Sequence, residues 1–278
     1  MSDDMIKNIN NKNNLQYFMD VTYYATPPNN KKYKLVIILA FNLDLYTTIL
    51  CNISIITNEN KETFVTLFDY LKEHYQFNPE KITIDYSVSE LNAIKHAFPN
   101  SIIIPCFFHL MQNLSKRLPD LKSKIKSKKQ TCKNLLANIK LMCFIPINQI
   151  DNFYKLIKEK YNSNNKNFFS YFEKYYLKNN KFNKEMWNYS KVILNNINNN
   201  NLIFYTNNIC ESFNRTLNKK YIGYCKTMYN FQMCIYDIIN FYNNHEQYKS
   251  KKISITRALE HYAKIQNHFE LITDENLK

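Results

Sequence analysis

A single glycine, Gly223, stands among 278 residues. Loops that cradle phosphates, whether GxGxxG or the P-loop pattern, need several glycines close together so that the backbone can approach the ligand. Dinucleotide-binding and P-loop chemistry are therefore excluded. Cysteine is present but without pattern: the seven residues, at 51, 106, 132, 143, 210, 225 and 234, form an odd set with no CxxC pair, which favours reduced thiols over a disulfide framework. No stretch reaches the roughly 18 apolar residues of a membrane span. The start, MSDDMIKNINNKNN, lacks the basic-then-apolar order of a secretory signal. We expect a soluble, intracellular chain with no membrane partner.

Acidic residues are scarce in one place only. Residues 1–109 carry nine basic and eleven acidic side chains, 110–200 carry eighteen and five, and 201–278 carry ten and seven, so nearly all of the net +14 sits in the middle segment. A localised basic surface favours a polyanion such as nucleic acid, because each neutralised phosphate releases condensed counterions. The plainer alternative is a solvated helix face in an Asn/Lys-biased chain. Hydrophobic residues at 45% and aromatics at 15% supply a real core and argue against disorder.

The runs LQYFMDVTYYAT, YKLVIILAFNLD and YTTILCNISIIT are rich in Val, Ile, Thr, Tyr and Phe and predict an antiparallel meander. KETFVTLFDYLKEHY then spaces Phe64, Leu67, Phe68 and Leu71 as a helix, with Thr57 or Asn58 as its cap. KITID is a short strand, VSELNAIKHAF a helix closed by Pro99, and SIIIPCFF a further strand-like run leading into HLMQNLSKRL. This order predicts an α/β fold with a mixed sheet. From 110 to 205 the patterns are helical, with LPDLKSKIKSKKQTCKNLLANIKLM, IDNFYKLIKEKY and NFFSYFEKYYLK as helices and NNINNNN as a loop. Helices resume near Asn208 and again at ITRALEHYAKI. The organisation expected is a polar tail (1–14), the first part of an α/β core (15–109), a basic helical insertion (110–205) and helices completing the core (206–278).

Asp20 lies inside one strand-like run and Asp85 ends another. A carboxylate in or just after a buried strand is costly unless it is paired or binds a cation, so two of them suggest a shared metal. Capping is the competing role for Asp85, ahead of Ser87 and Glu90. Glu211, in TNNICESFNRTLNKK, would alone be an ordinary residue near the start of a helix. The CxxH step Cys106–His109 can supply two of four Zn²⁺ ligands, with His245, Cys132 and Cys143 as further candidates. A buried thiol and a helix-start histidine explain the same step without metal. Lys116, Arg117, Lys122, Lys124, Lys126, Lys128, Lys129 and Lys133 form the basic run that would track DNA. Trp187 would either stack on a base or fill a core.

The wording around these residues is more specific than any one of them. ITIDYSVSELNAIKHAFPNSIIIPCFFHLMQNL resembles the core of Mutator-like element (MULE) transposases: a strand-end Asp, a helix, a Phe-Pro pair, a strand, and a Cys-x-x-His step 21 residues beyond the Asp. FMDVTYYATP resembles the family's first-aspartate strand and TNNICESFNRTLN its glutamate helix. The resemblance implies a ribonuclease H-like mixed sheet flanked by helices, with a large all-helical insertion before the last catalytic helix. It also implies a DDE triad of Asp20, Asp85 and Glu211 holding Mg²⁺ or Mn²⁺, DNA as partner, a homo-oligomer on DNA, and a nuclear location. Relatives carry a DNA-binding domain upstream of the first aspartate, and Asp20 comes early here. A domesticated or truncated DNA-binding derivative without activity is therefore the alternative. An unrelated nuclease acting on RNA or hybrids is a third class, disfavoured by the CFFHL step and the long insertion.

Overall fold

The structure, a computed structural model, describes residues 14–22, 32–44, 47–178, 182–192, 203–220, 225 and 227–244. They fall into two compact units, an α/β unit from 1–109 and 202–250 and a helical unit from 110–201.

The α/β unit is built on β1 Leu15–Thr22, β2 Lys34–Asn42, β3 Thr47–Ile56, β4 Lys81–Ile84 and β5 Ile102–Pro105, in the sheet order β3-β2-β1-β4-β5. β1, β2 and β3 are antiparallel neighbours, as the meander predicts, while β4 runs parallel to β1 and β5 parallel to β4. The sheet is mixed, and its interior strand β2 is apolar almost throughout because both of its faces are covered. On one face, Tyr17 meets Phe77 edge to face at 5.1 Å, and Phe98 packs on Phe68 and Phe77. These rings belong to or flank α1 Lys61–Tyr75 and α2 Val88–Ala97. The opposite face, from Phe18, Leu35, Ile37, Leu39 and Phe41, forms one core with α7 Asn208–Lys220 and α8 Met228–Asn244 through Cys210, Leu217, Phe231, Ile235 and Ile238.

Local chemistry sets the element ends. α1 is capped not by Thr57 or Asn58 but by Asn60, whose Oδ1 accepts from Thr63 N–H at 2.9 Å; only Asn60 lies three residues before a free helical N–H. The same helix ends with Gln76 in the left-handed region at φ 50°, and its N–H and that of Phe77 close on Lys72 and Leu71 carbonyls. Glycine ordinarily takes this place, and a chain with one glycine uses glutamine. The strand expected over 101–108 stops at Pro105, which has no N–H to extend the ladder, and Phe107 begins α3 Phe107–Ser115.

In the helical unit the basic stretch is not one helix. A 3₁₀ turn, Pro119–Lys122, precedes α4 Lys126–Met142, because Pro119 fits only a helix start and Ser123 and Ile125 take extended backbone. Conversely, the two helices expected over 150–178 merge into α5 Ile150–Phe172, bent at Asn165 (φ −135°, ψ 31°) and followed by a π-helical turn, Glu173–Leu177. Phe168, Phe169 and Phe172 are buried beside Tyr176 and Trp187, the last lying in the short α6 Lys184–Trp187. Trp187 is 1% exposed and donates Nε1–H to Tyr176 O at 2.9 Å, so it fills a core and offers no face to a base. All seven cysteines are free thiols. Among the described residues no helix is long and apolar enough to cross a membrane. The 195–201 loop and the ITRALEHYAKI helix lie outside, or almost wholly outside, the described residues.

Candidate functional site

Two spacings visible in the sequence are strand registers. β1 and β4 pair Tyr17 with Ile82 and Phe18 with Thr83, and β4 and β5 pair Ile84 with Pro105. Continued along the strands, the same registers set Asp85 beside Asp20 and Cys106 beside Asp85, and Cys106 N–H does donate to Ile84 O at 2.7 Å. Three residues with metal-binding side chains thus share one row at the C-terminal end of three parallel strands.

The fourth wall of this site is α7. Its residues Asn207 (the position before the helix), Glu211 and Asn214 fall at i, i+4 and i+7, one stripe of the helix. Asn207 Nδ2 donates to Met19 O at 2.9 Å and reaches Asp85 Oδ1 at 3.5 Å, while its backbone N–H points to Cys106 Sγ at 3.2 Å. Asn214 Nδ2 donates to Asp20 Oδ2, and Cys210 Sγ–H to Phe18 O at 3.5 Å. Upstream, buried Gln16 clamps the returning chain: its Nε2 bonds Thr83 Oγ1 at 2.8 Å and Phe204 O at 2.6 Å, and its Oε1 accepts Phe204 N–H at 2.8 Å. Phe107 N–H donates to Tyr205 O at 2.8 Å. The CFFH step is therefore stitched to the segment that launches the glutamate helix.

The electrostatics follow from burial. Asp20 is 8% exposed, and burial, then the negative charge of Asp85, pushes its carboxyl up to about 7; His109 and the Asn214 bond only partly oppose this, and Glu211 adds to it. Glu211 is raised by burial and by Asp85 against the pull of His109 and Arg215. Glu90, legible in the sequence only as part of a cap, is a fourth carboxyl: it is 3% exposed and raised well above the usual range by burial and by Asp85, Asp20 and Glu59. Ser87 does cap α2, its Oγ accepting Glu90 N–H at 3.4 Å. His109 Nδ1 lies 2.7 Å from Asp85 Oδ1, an ion-pair contact. Burial lowers the basicity of His109, but Asp85 and Cys106 together outweigh it and hold the imidazole up to about 11.

Side-chain oxygens of Glu90, Asn207, Glu211 and Asn214 are buried there without a hydrogen-bond partner. A buried acceptor left unmade costs roughly 1–3 kcal/mol. Four such oxygens around two aspartates are donors of the kind that a hard, oxygen-seeking cation takes. Next to them, Asp85, Cys106 and His109 bring one ligand atom each to within 4.8 Å of one another, an arrangement that could hold a metal ion. Asp85 is the third member of this group, which the CxxH spacing left unnamed. Of the other candidates, Cys132 and Cys143 are engaged inside the helical unit, with Asn165 Oδ1 and Ile139 O, and His245 lies outside the described residues.

The eight basic residues from Lys116 to Lys133 are all exposed and lie in the helical unit. On α4, Lys126, Lys129 and Lys133 lie away from the buried stripe of Cys132, Leu135, Ile139 and Met142, whereas Lys128 stands in line with that stripe in the first turn, where it is exposed. Lys116 and Arg117 border a cleft of about 530 Å³ with Asp120, Asn164 and Tyr171, and the Arg117 guanidinium lies 4.3 Å above the Tyr171 ring.

The fold is α/β, a mixed five-stranded sheet with helices, and its parallel strands end in a row holding Asp20, Asp85 and Cys106. Residues 17–113 match the family model of the MULE transposase domain. The match takes in Asp20, Asp85, Cys106 and His109 and ends before the basic run and Glu211. No curated protein matches the chain.

Proposed function

We propose that this chain is a DNA transposase domain of the DDE type, in which Asp20, Asp85 and Glu211 hold divalent cations for cleavage and strand transfer at DNA phosphodiesters. The observation that carries it is the convergence of these three residues. Separated by 65 and 126 positions in sequence, two share a register row and the third faces them from α7 with an orphaned oxygen. The order β3-β2-β1-β4-β5, with only the first three strands antiparallel, supports a ribonuclease H-like core.

The donor set is oxygen-rich and suits Mg²⁺ or Mn²⁺. Such ions, when bound, would activate the attacking water or 3′-hydroxyl and stabilise the departing oxyanion. The chain's own residues do the rest. Asp20 and Asp85 are held at fixed separation by the sheet, Asn214 orients Asp20, and His109 keeps a positive charge and a proton on Nδ1 beside Asp85. The exposed lysines of the helical unit would neutralise the phosphate backbone.

The test is nicking of supercoiled plasmid by the purified chain with Mn²⁺, abolished by chelation and by Asp20→Asn, Asp85→Asn or Glu211→Gln at unchanged far-UV circular dichroism. Salt-dependent DNA binding without any nicking would instead support the non-enzymatic derivative.

A further inference from the structure

Asn207 and Asn214 pose a question that the three carboxylates do not answer. Each spends its amide N–H on the site, Asn207 on Met19 O and Asp85, Asn214 on Asp20, and each leaves its Oδ1 buried with no donor. Asn207 is 0% exposed and Asn214 9%, so solvent does not meet the need. Turning either amide over would not help. The oxygen would then face a carboxylate or a carbonyl, both acceptors, and the NH₂ group would be the orphan. The amide orientations are therefore fixed by their partners, and the loose oxygens stay beside Asp20 and Asp85.

What such an oxygen can accept follows from the chemistry of the cation. Mg²⁺ and Mn²⁺ bound by a few carboxylates keep several waters, and each water, polarised by the ion, needs acceptors for its hydrogens. We infer that Asn207 and Asn214 are positioning residues of the cation site, each orienting an aspartate through its N–H while its Oδ1 accepts a hydrogen bond from the cation's water shell. This rests on the proposed cation site at Asp20, Asp85 and Glu211. It adds that the site extends along α7 for two turns, and that an Asn at each end of the stripe is there for the hydrated ion rather than for the helix.

The experiment uses Mn²⁺ alone, without DNA, and reads its dissociation constant from the free-ion electron paramagnetic resonance signal, with the melting temperature of the cation-free protein measured in parallel. Asn214→Leu removes both amide atoms at similar volume. It should weaken Mn²⁺ binding about 10–100-fold, as loss of an outer-shell partner does, while the cation-free protein melts no lower than the wild type. Asn214→Asp keeps an acceptor oxygen but adds a charge beside Asp20, so it should lower the cation-free melting temperature yet retain Mn²⁺ affinity within a few-fold. Asn214→Ser serves as the smaller variant if the leucine does not fold. Asn207→Leu should weaken Mn²⁺ in the same sense. A purely structural role predicts the opposite split, with melting temperature lost and Mn²⁺ affinity unchanged. Asn214→Leu and Asn207→Leu binding Mn²⁺ as tightly as wild type, while Asp20→Asn does not, would overturn this inference and leave the cation site standing. Wild type that binds no Mn²⁺, or binds it equally after Asp20→Asn, would remove both.

Discussion

Among the described residues, the α/β unit leaves buried polar side-chain atoms without partners, and the helical unit satisfies the few it buries. Among the described residues, Gln16, Asp20, Thr83, Glu90, Asn207 and Asn214 are all buried in the first, and the orphaned oxygens of the site belong to it. In the second, buried Asn188 and Ser190 are satisfied locally: Asn188 Nδ2 donates to Met142 O and Ile145 O, and its Oδ1 accepts from Ser190. Its core is aromatic and its lysines are on the surface. A fold retains buried, unmet polar groups only where something else repays their cost. Under the proposed function, the chemistry falls to the α/β unit and the sequence-independent attraction of a polyanion to the helical unit.

The sharpest way to break that contrast is to neutralise the buried carboxylates. Asp20→Asn should lower Mn²⁺-dependent nicking by at least about 10³-fold, which corresponds to roughly 4 kcal/mol of transition-state stabilisation. Combining it with Glu211→Gln should add little, since groups that hold one cation cluster act as a unit. A double variant far less active than either single one, by the product of their separate losses, would show that they work independently.

The same burial predicts a pH dependence. A carboxyl whose folded-state pKa is raised binds its proton more tightly in the folded protein. Its contribution to stability is therefore fully present below the unfolded value of 3.8 and is lost as pH rises through about 7. The cation-free wild type should lose melting temperature between pH 5 and pH 8, Asp20→Asn should lose less, and Mn²⁺ should restore the wild type at pH 8. An identical fall in both proteins would place the titrating group elsewhere. No comparable dependence is expected from the lysine-covered helical unit.

Much of the α/β unit was legible beforehand because its signals are local. The apolar runs gave β1 to β3, and the helical spacing of Phe64, Phe68 and Leu71 gave α1. The distances from Asp85 to Asp20 and to Cys106 could be counted in the sequence, but that they are registers appears only once the sheet pairs. Asn207, Asn214 and Gln16 were missed for a definite reason. In a chain crowded with asparagine, another Asn reads as a cap or a turn former, and only tertiary packing shows which amides are buried. Glu90 was hidden by its capping role, which is real but uses its backbone and not its carboxyl.

Smaller in effect, zinc content tests whether the Asp85–Cys106–His109 group is a metal centre of its own. If it holds Zn²⁺, the purified protein carries close to one equivalent and Cys106→Ser releases it. Without zinc, Cys106 remains the buried acceptor for Asn207 N–H. In that case Cys106→Ser should change stability by only about 1 kcal/mol, the scale of one hydrogen bond.

The gentlest perturbation is on the helical unit, where no single residue should matter. Lys124, Lys126, Lys128 and Lys129 are exposed and make no ion pair among the described residues, so their replacement by Gln should leave the fold and its melting temperature nearly unchanged. What should change is the salt dependence of duplex binding. Each phosphate contact contributes about −0.9 to the slope of log K against log salt. If all four lysines touch the backbone, the slope should flatten by roughly 3 to 4, with affinity falling to a similar extent on every sequence tried. An unchanged slope would mean that these lysines are only a solvated face, and the polyanion role would pass to the Arg117–Tyr171 cleft or be lost from the helical unit. A slope that flattens together with a change in sequence preference would be equally instructive, because it would place base recognition in a unit whose surface offers phosphates little but charge.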